Sequence, residues 1–179
     1  MEYIAFLRGV NVGGHIAKMD RVRALFSELG LEAVRSYIQS GNLFFESASK
    51  DRTALAAMIS RAMEDTFGYE VPVCLRTPDE LEKALHLDPF KGLKVTPDMR
   101  LCINFAADPL PRKLELPLFS PKRDIQILKI SDRDAYVIWH IINGRPPSSS
   151  SFLDTTLGQP TTSRFFHTAA KILEAARRK

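Results

Sequence analysis

The chain predicts an α+β fold of two consecutive ferredoxin-like lobes (alpha-beta plaits), the second incomplete, with a C-terminal helix. Three observations lead there. Residues 3–76 alternate strand-like and helix-like patterns in the order β-α-β-β-α-β, the split-βαβ arrangement. Strand signals resume at residue 100, with fewer helical stretches between them. Residues 161–178 carry apolar side chains at helical spacing.

Tyr3–Arg8 is a short apolar run ended by Gly9, the pattern of a buried strand. A loop with Gly9, Gly13 and Gly14 follows. Lys18–Leu29 then places Met19, Val22, Leu25, Phe26 and Leu29 on one helical face, closed by Gly30. Ala33–Ile38 and Leu43–Glu46 read as strands joined by the turn Gln39-Ser40-Gly41-Asn42. Asp51–Phe67 is a helix whose inner stripe is Leu55, Met58, Ile59, Ala62, Met63 and Thr66, with Gly68 just past its end. Glu70–Arg76 is a strand, and Pro72 assigns it to a sheet edge because proline cannot donate to the ladder. Thr77-Pro78-Asp79-Glu80 starts a helix with a capping box and a proline at the first helical position, and Asp88-Pro89 lies beyond its end.

The second half is looser. Arg100–Phe105 reads as a strand, and Asp108–Pro121 holds four prolines with room for one helical turn. Asp124–Ile130 and Ala135–Ile142 form a hairpin around Ser131-Asp132-Arg133-Asp134, whose two aspartates flank the turn and are expected in solvent. Pro146-Pro147 and the four serines after them read as a loop or lid. Thr161–Arg178 reads as the last helix, with Phe165, Ala169, Ile172, Leu173 and Ala176 on its inner side. Its basic end, Arg177-Arg178-Lys179, suits the helix dipole. The lobes are therefore expected over residues 1–89 and 90–179.

Composition narrows the class. With 45% hydrophobic and 26% charged residues, a disordered chain, a collagen-like repeat and a disulfide scaffold are not expected. The net charge of +4 divides unevenly, −3 over residues 1–89 and +7 over 90–179, so a polyanionic or acidic partner has to be considered. Cys74 and Cys102 each sit in an apolar run and read as small buried hydrophobes, without metal or redox spacing. No metal site is expected and no cofactor is identifiable. The N-terminus has no basic leader, and no window approaches the roughly 18 apolar residues of a membrane span. A cytoplasmic protein without a membrane partner is expected.

Topology then selects a place for a site. The first and third strands of a ferredoxin-like sheet are antiparallel neighbours, so the loop leaving the first and the hairpin entering the third share one end. Here these are Arg8-Gly9-Val10-Asn11-Val12-Gly13-Gly14-His15 and Gln39-Ser40-Gly41-Asn42. The loop runs into a helix start, where unpaired N–H groups favour anions, and Arg8 and Lys18 add charge. Asn11, Gln39, Ser40 and Asn42 can supply oriented hydrogen bonds to a small polar or anionic ligand. The same residues also suit turns with no ligand, the glycines by adopting φ > 0 and Ser40-Gly41-Asn42 by hairpin chemistry. Neither the dinucleotide fingerprint nor the P-loop is present.

Other constellations are weaker. His86, near a helix end, and His140, within a strand, read as structural, His167 stands apart from both, and His15 alone lies in the candidate loop. Tyr136, Trp139 and Phe152 read as core residues. An RNA-recognition sheet would place a basic residue and then three aromatics around Gly41. This chain offers Ser40 in place of the basic residue, and Asn42, Phe44 and Ser47 at the aromatic positions, which makes nucleic acid an unfavoured partner.

Phe6-Leu7-Arg8-Gly9-Val10-Asn11-Val12-Gly13-Gly14 resembles "FLRGINVGG", the opening of the bacterial domain-of-unknown-function 1697 family. Ser36-Tyr37-Ile38-Gln39-Ser40-Gly41-Asn42-Leu43-Phe44-Phe45 resembles that family's "TYIQSGNVVF". Asp88-Pro89-Phe90, and Thr162-Ser163-Arg164 followed by Thr168 and Lys171, fall in the same order, so the resemblance spans nearly the whole chain. It implies two consecutive α/β plaits and supplies no activity. Both N-terminal motifs fall on the two segments that topology joins. At the C-terminus the family's "ARNWNTV" is replaced by Ser163-Arg164-Phe165-Phe166-His167-Thr168-Ala169, and a "GRSKL"-like segment by Gly144-Arg145-Pro146-Pro147 and serines. Arg164 and Thr168 remain as family-type contacts.

Three functions follow as expectations. The first is a binding module for a small polar or anionic ligand, using Arg8, Asn11, Gly13, Gly14, His15, Gln39, Ser40, Asn42, Arg164 and Thr168. The second is an enzyme using the same pocket with His15 or His167 as acid/base. The third is a nucleic-acid or acidic-partner binder acting through residues 90–179, with Arg177, Arg178 and Lys179.

Overall fold

A computed structural model describes residues 1–147 and 151–178. Among them the chain forms five helices and two antiparallel sheets, of four and five strands, a mixed α+β fold in two compact units. Among the described residues no helix is long and apolar enough to cross a membrane.

The first unit comprises Met1–Glu82 and the chain from Lys171 onward. Its strands are β1 (Glu2–Leu7), β2 (Glu32–Tyr37), β3 (Asn42–Glu46) and β4 (Val73–Arg76), in the order β2-β3-β1-β4. Two helices, α1 (Met19–Glu28) and α2 (Arg52–Phe67), press Val22, Phe26, Ile59 and Met63 onto Tyr3, Ala5 and Phe45 of the sheet. Burial of each such side chain contributes about 1.5–3 kcal/mol. The other face of β1 is also closed, with Ile4 and Phe6 fully buried. Capping fixes α2 at both ends. Asp51 accepts from the Ala54 N–H at 2.9 Å, and Gly68 turns left-handed at φ +79. Pro72 precedes β4, and β4 is indeed an edge strand.

The second unit, Lys83–Ala170, holds β5 (Met99–Ala106), β6 (Leu118–Phe119), β7 (Ile125–Ser131), β8 (Asp134–His140) and β9 (Thr161–Phe165). Their order is β6-β7-β8-β5-β9. Apart from the two-residue β6, the order β7-β8-β5-β9 repeats the β2-β3-β1-β4 of the first sheet. One short helix, α4 (Ser151–Leu157), lies between β8 and β9, where α2 lies in the first plait. The segment matching α1 is irregular, and its Leu110 is buried against the sheet together with Leu153 and Leu157 of α4. The second plait is incomplete by that one helix. The remaining helices, α3 (Pro78–Leu87) and α5 (Phe166–Arg177), run across the division between the units.

The capping box of α3 forms in both directions: Glu80 N–H donates to Thr77 Oγ1 at 3.2 Å, and Thr77 N–H donates to Glu80 Oε2 at 2.8 Å. Arg52 adds a 2.7 Å ion pair to the same carboxylate. Burial raises the Glu80 pKa, but the Thr77 N–H and Arg52 outweigh it and hold the carboxyl below its ordinary 4.5.

Several expectations are corrected. Thr161–Phe165 is strand β9 rather than the start of the last helix, which begins at Phe166. Thr-Thr-Ser-Arg-Phe is β-favouring, and β9 completes the sheet by pairing with β5. Phe165 is accordingly 38% exposed rather than buried on a helix face, while Ala169, Ile172 and Ala176 are buried as expected. Ser151 opens α4 instead of continuing a loop; serines 148–150 lie outside the described residues. Asp134 is buried, although Asp132 beside it in the turn is exposed. Met58 of the α2 stripe faces out at 36% exposure. Segment 108–121 contains the short strand β6 and no helical turn. Both cysteines are free and buried, and Tyr136 is in the core, as read from the sequence.

Candidate functional site

The antiparallel pairing of β1 with β3 ends with Phe6 opposite Asn42. The β1–α1 loop and the β2–β3 hairpin therefore leave the sheet side by side. Leu7 N–H donates to Gly41 O at 2.8 Å, and Arg8 N–H donates to Pro72 O at 3.0 Å. Gly41 holds φ +72 in a tight place: a Cβ there would lie 2.9 Å from Leu7 Cβ and 3.3 Å from Leu7 O. Only glycine lets the hairpin approach the end of β1 this closely.

Asn11 fastens the two segments. It adopts φ +59, which asparagine tolerates better than most residues. Its Nδ2 donates to Gln39 O at 2.8 Å and Ala17 O at 3.0 Å, and its Oδ1 accepts from Ala17 N–H at 2.8 Å. One amide thus ties the hairpin tip to the residue that leads into α1. Asn42, fully buried, donates to Tyr37 O at 3.2 Å and Ser40 Oγ at 2.9 Å, bracing the hairpin from within. Both asparagines form the frame of this end of the sheet.

Other candidates face outward. Gly13, Gly14, His15 and Gln39 are exposed, and Arg8 and Ser40 are half-buried. Lys18 stands at the N-cap position of α1 with no side-chain cap bond to the first turn. The apolar residues here are unusual for a turn region. Val12 is 59% exposed, Ile16 78% and Ile38 49%. Ile38 also holds φ +51, a conformation that a β-branched residue adopts only under strain.

Sequence reasoning missed Tyr69. The His15 ring lies on the Tyr69 ring, centroids 4.0 Å apart, which draws the glycine loop down onto the end of α2. The Tyr69 hydroxyl is buried with no hydrogen-bond partner among the described residues, and burial pushes its pKa up. The one hint in the sequence is an aromatic directly after the helix-ending Gly68.

Arg164, His167 and Thr168 belong to the second unit. Arg164 lies on β9, largely buried, and donates to Thr162 Oγ1 at 3.0 Å and Ser163 O at 2.8 Å. Thr168 is half-buried in the first turn of α5. His167, also in that turn, stacks on Phe165 at 5.7 Å. Of the basic C-terminal residues, Arg177 makes a bidentate pair with Glu82, both contacts at 2.7 Å, and approaches Asp79 at 3.6 Å.

A solved structure with similar architecture is that of a conserved bacterial protein from Streptococcus pneumoniae. It matches with a TM-score of 0.64 and 20% identity over 98% of each chain, a likeness of fold alone. No curated protein matches the sequence significantly. A family model described as "Protein of unknown function (DUF1697)" matches residues 1–136, which include both loop motifs. The chain belongs to the DUF1697 family of proteins of unknown function.

Proposed function

We propose that the β1–α1 loop and the β2–β3 hairpin bind a small ligand with an anionic group and an apolar face. The observation that carries this reading is Ile38, which keeps φ +51 while 49% exposed beside the exposed Val12 and Ile16. Such strain costs about 1–3 kcal/mol, and a turn selected for folding alone would place Gly or Asn there. The Asn11 amide supports it by holding loop and hairpin in one geometry, which lowers the ordering cost of binding. In this reading Arg8 pairs with the anionic group, His15, Gln39 and Ser40 orient it, and Val12, Ile16 and Ile38 meet the apolar part. Asn11 and Asn42 act behind them as frame. A nucleic-acid partner is less favoured, because Arg177, a leading basic candidate, is occupied by Glu82 and Asp79.

Thermal-shift assays with inorganic phosphate, nucleoside monophosphates and alkyl or aryl carboxylates test this proposal. The expected result is stabilisation of the wild type by at least one amphipathic anion, reduced in Arg8→Gln and in Ile38→Gly. Equal stabilisation of both variants and wild type, or none by any anion, overturns it.

A further inference from the structure

Between Val10 and Ala17, which both belong to the core of the first unit, residues 12–16 are exposed throughout. The base of this loop is fixed. Asn11 donates to Ala17 O at 3.0 Å and accepts from Ala17 N–H at 2.8 Å, so the two ends are pinned together. Its second donor contact, to Gln39 O at 2.8 Å, sets the hairpin beside that base. The tip is held far less. Among the described residues, 12–16 make one hydrogen bond, from His15 N–H to Val12 O at 3.1 Å, which stays inside the loop. Their one ring contact outside it is His15 on Tyr69, at 4.0 Å and 34°. Gly13 and Gly14 carry φ +62 and +89 with nothing within 4 Å of where a Cβ would stand. Glycine there serves backbone freedom, not close packing.

This docked position is also imperfect. The Tyr69 hydroxyl is buried without a partner among the described residues, and such a loss is of the same order as the gain from one aromatic pair. Val12 and Ile16, on either side of the tip, leave their apolar side chains in water. We infer that residues 12–16 are a flap with two positions. In the present one the His15 ring rests on Tyr69. In the other the tip leaves Tyr69, opens its hydroxyl to water and folds over a ligand at the β2–β3 hairpin, laying Val12 and Ile16 on the ligand's apolar part. That second position rests on the binding reading above, whereas release from Tyr69 does not. The division of labour suits closure: Asn11 keeps the base in register with the hairpin, and Gly13-Gly14 absorb the change in backbone angles. Movement is confined to a segment that buries nothing of its own, so the core need not open with it.

NMR on the full chain at one pH tests this. Relaxation dispersion reads exchange at residues 13–16, and the His15 ring protons, moved upfield by the Tyr69 ring, read the stack itself. Exchange on the microsecond-to-millisecond scale is expected at 13–16 in the wild type. Tyr69→Phe keeps the ring and removes the orphan hydroxyl, so the open population should fall several-fold. Tyr69→Leu removes the ring, so the His15 protons should move downfield to their unstacked position. Octanoate should drive the same downfield movement in the wild type, saturably, with shifts at residues 38–42. No exchange at 13–16 in the wild type, or equal exchange in all three proteins, overturns the inference. Octanoate shifts at 38–42 with His15 still stacked also overturn it, while the binding reading stands. Exchange that responds to the Tyr69 variants, with no octanoate shifts anywhere, supports the release and overturns the ligand-bound position together with the binding reading.

Discussion

Asn11 and Gly41 were legible as turn residues, but their roles depend on partners far away in sequence. The Asn11 amide serves Ala17 and Gln39, and no local spacing announces the second contact. Replacing Asn11 with Ala is expected to cost about 1–3 kcal/mol in urea unfolding. Asn11→Asp should recover only part of this, because a carboxylate cannot donate to the Gln39 and Ala17 carbonyls. Glycines with similar φ separate by surroundings. Gly13 has φ +62 and open space around its Cβ position, so Gly13→Ala should cost about 1–2 kcal/mol from backbone strain alone. Gly41→Ala adds a clash with Leu7 and should cost clearly more. Equal losses in the two variants would show that Leu7 does not press on the hairpin. Tyr69 and Ile38 stayed hidden for related reasons. One acts through a ring contact across the unit's tertiary structure, and the other through a backbone angle that composition does not reveal.

Elements with strong caps and clean stripes were readable; those defined by pairing were not. Helices α1, α2 and α3 begin and end within a residue or so of the expected positions, because Asp51, Gly68 and the Thr77/Glu80 box signal locally. Thr161–Phe165 reads as helix in sequence because it adjoins a strong amphipathic stretch, and only β5 across the sheet makes it strand β9. The C-terminal end of α5 is likewise fixed from a distance. Arg35 of β2 donates to the carbonyls of Ala175, Ala176 and Arg178 at 2.8–3.0 Å, taking up acceptors that helix ends leave open. Arg35→Met should therefore destabilise the protein by about 1–3 kcal/mol, with earlier amide exchange in the last turn of α5. At the start of α3, the lowered pKa of Glu80 makes its contribution pH-dependent. A carboxylate with a depressed folded pKa stabilises above its unfolded value near 4.5, and that contribution is lost as pH falls through the folded value. Glu80→Gln should flatten the fall in melting temperature below about pH 4.5, and an unchanged acid limb would remove Glu80 from the account.

At the scale of the molecule, element order carried further than charge. The β-α-β-β-α-β order predicts the first sheet and an incomplete second copy, but not strands β6 and β9 of the second sheet. Both sheets show the same antiparallel sequence of strands once β6 is set apart. The +7 balance of residues 90–179 identified no interface, and one of its cations, Arg177, is paired with Glu82 and Asp79. At the candidate site the loop and hairpin are locked by Asn11, with strain at Ile38 and exposed apolar surface at Val12, Ile16 and Ile38. Backbone amide shift mapping during titration with an amphipathic anion, octanoate or a nucleoside monophosphate, tests binding there most directly. Saturable shifts concentrated at residues 8–16 and 38–42 are expected; shifts confined to the second unit, or none at all, would rule out a site at this end of the first sheet.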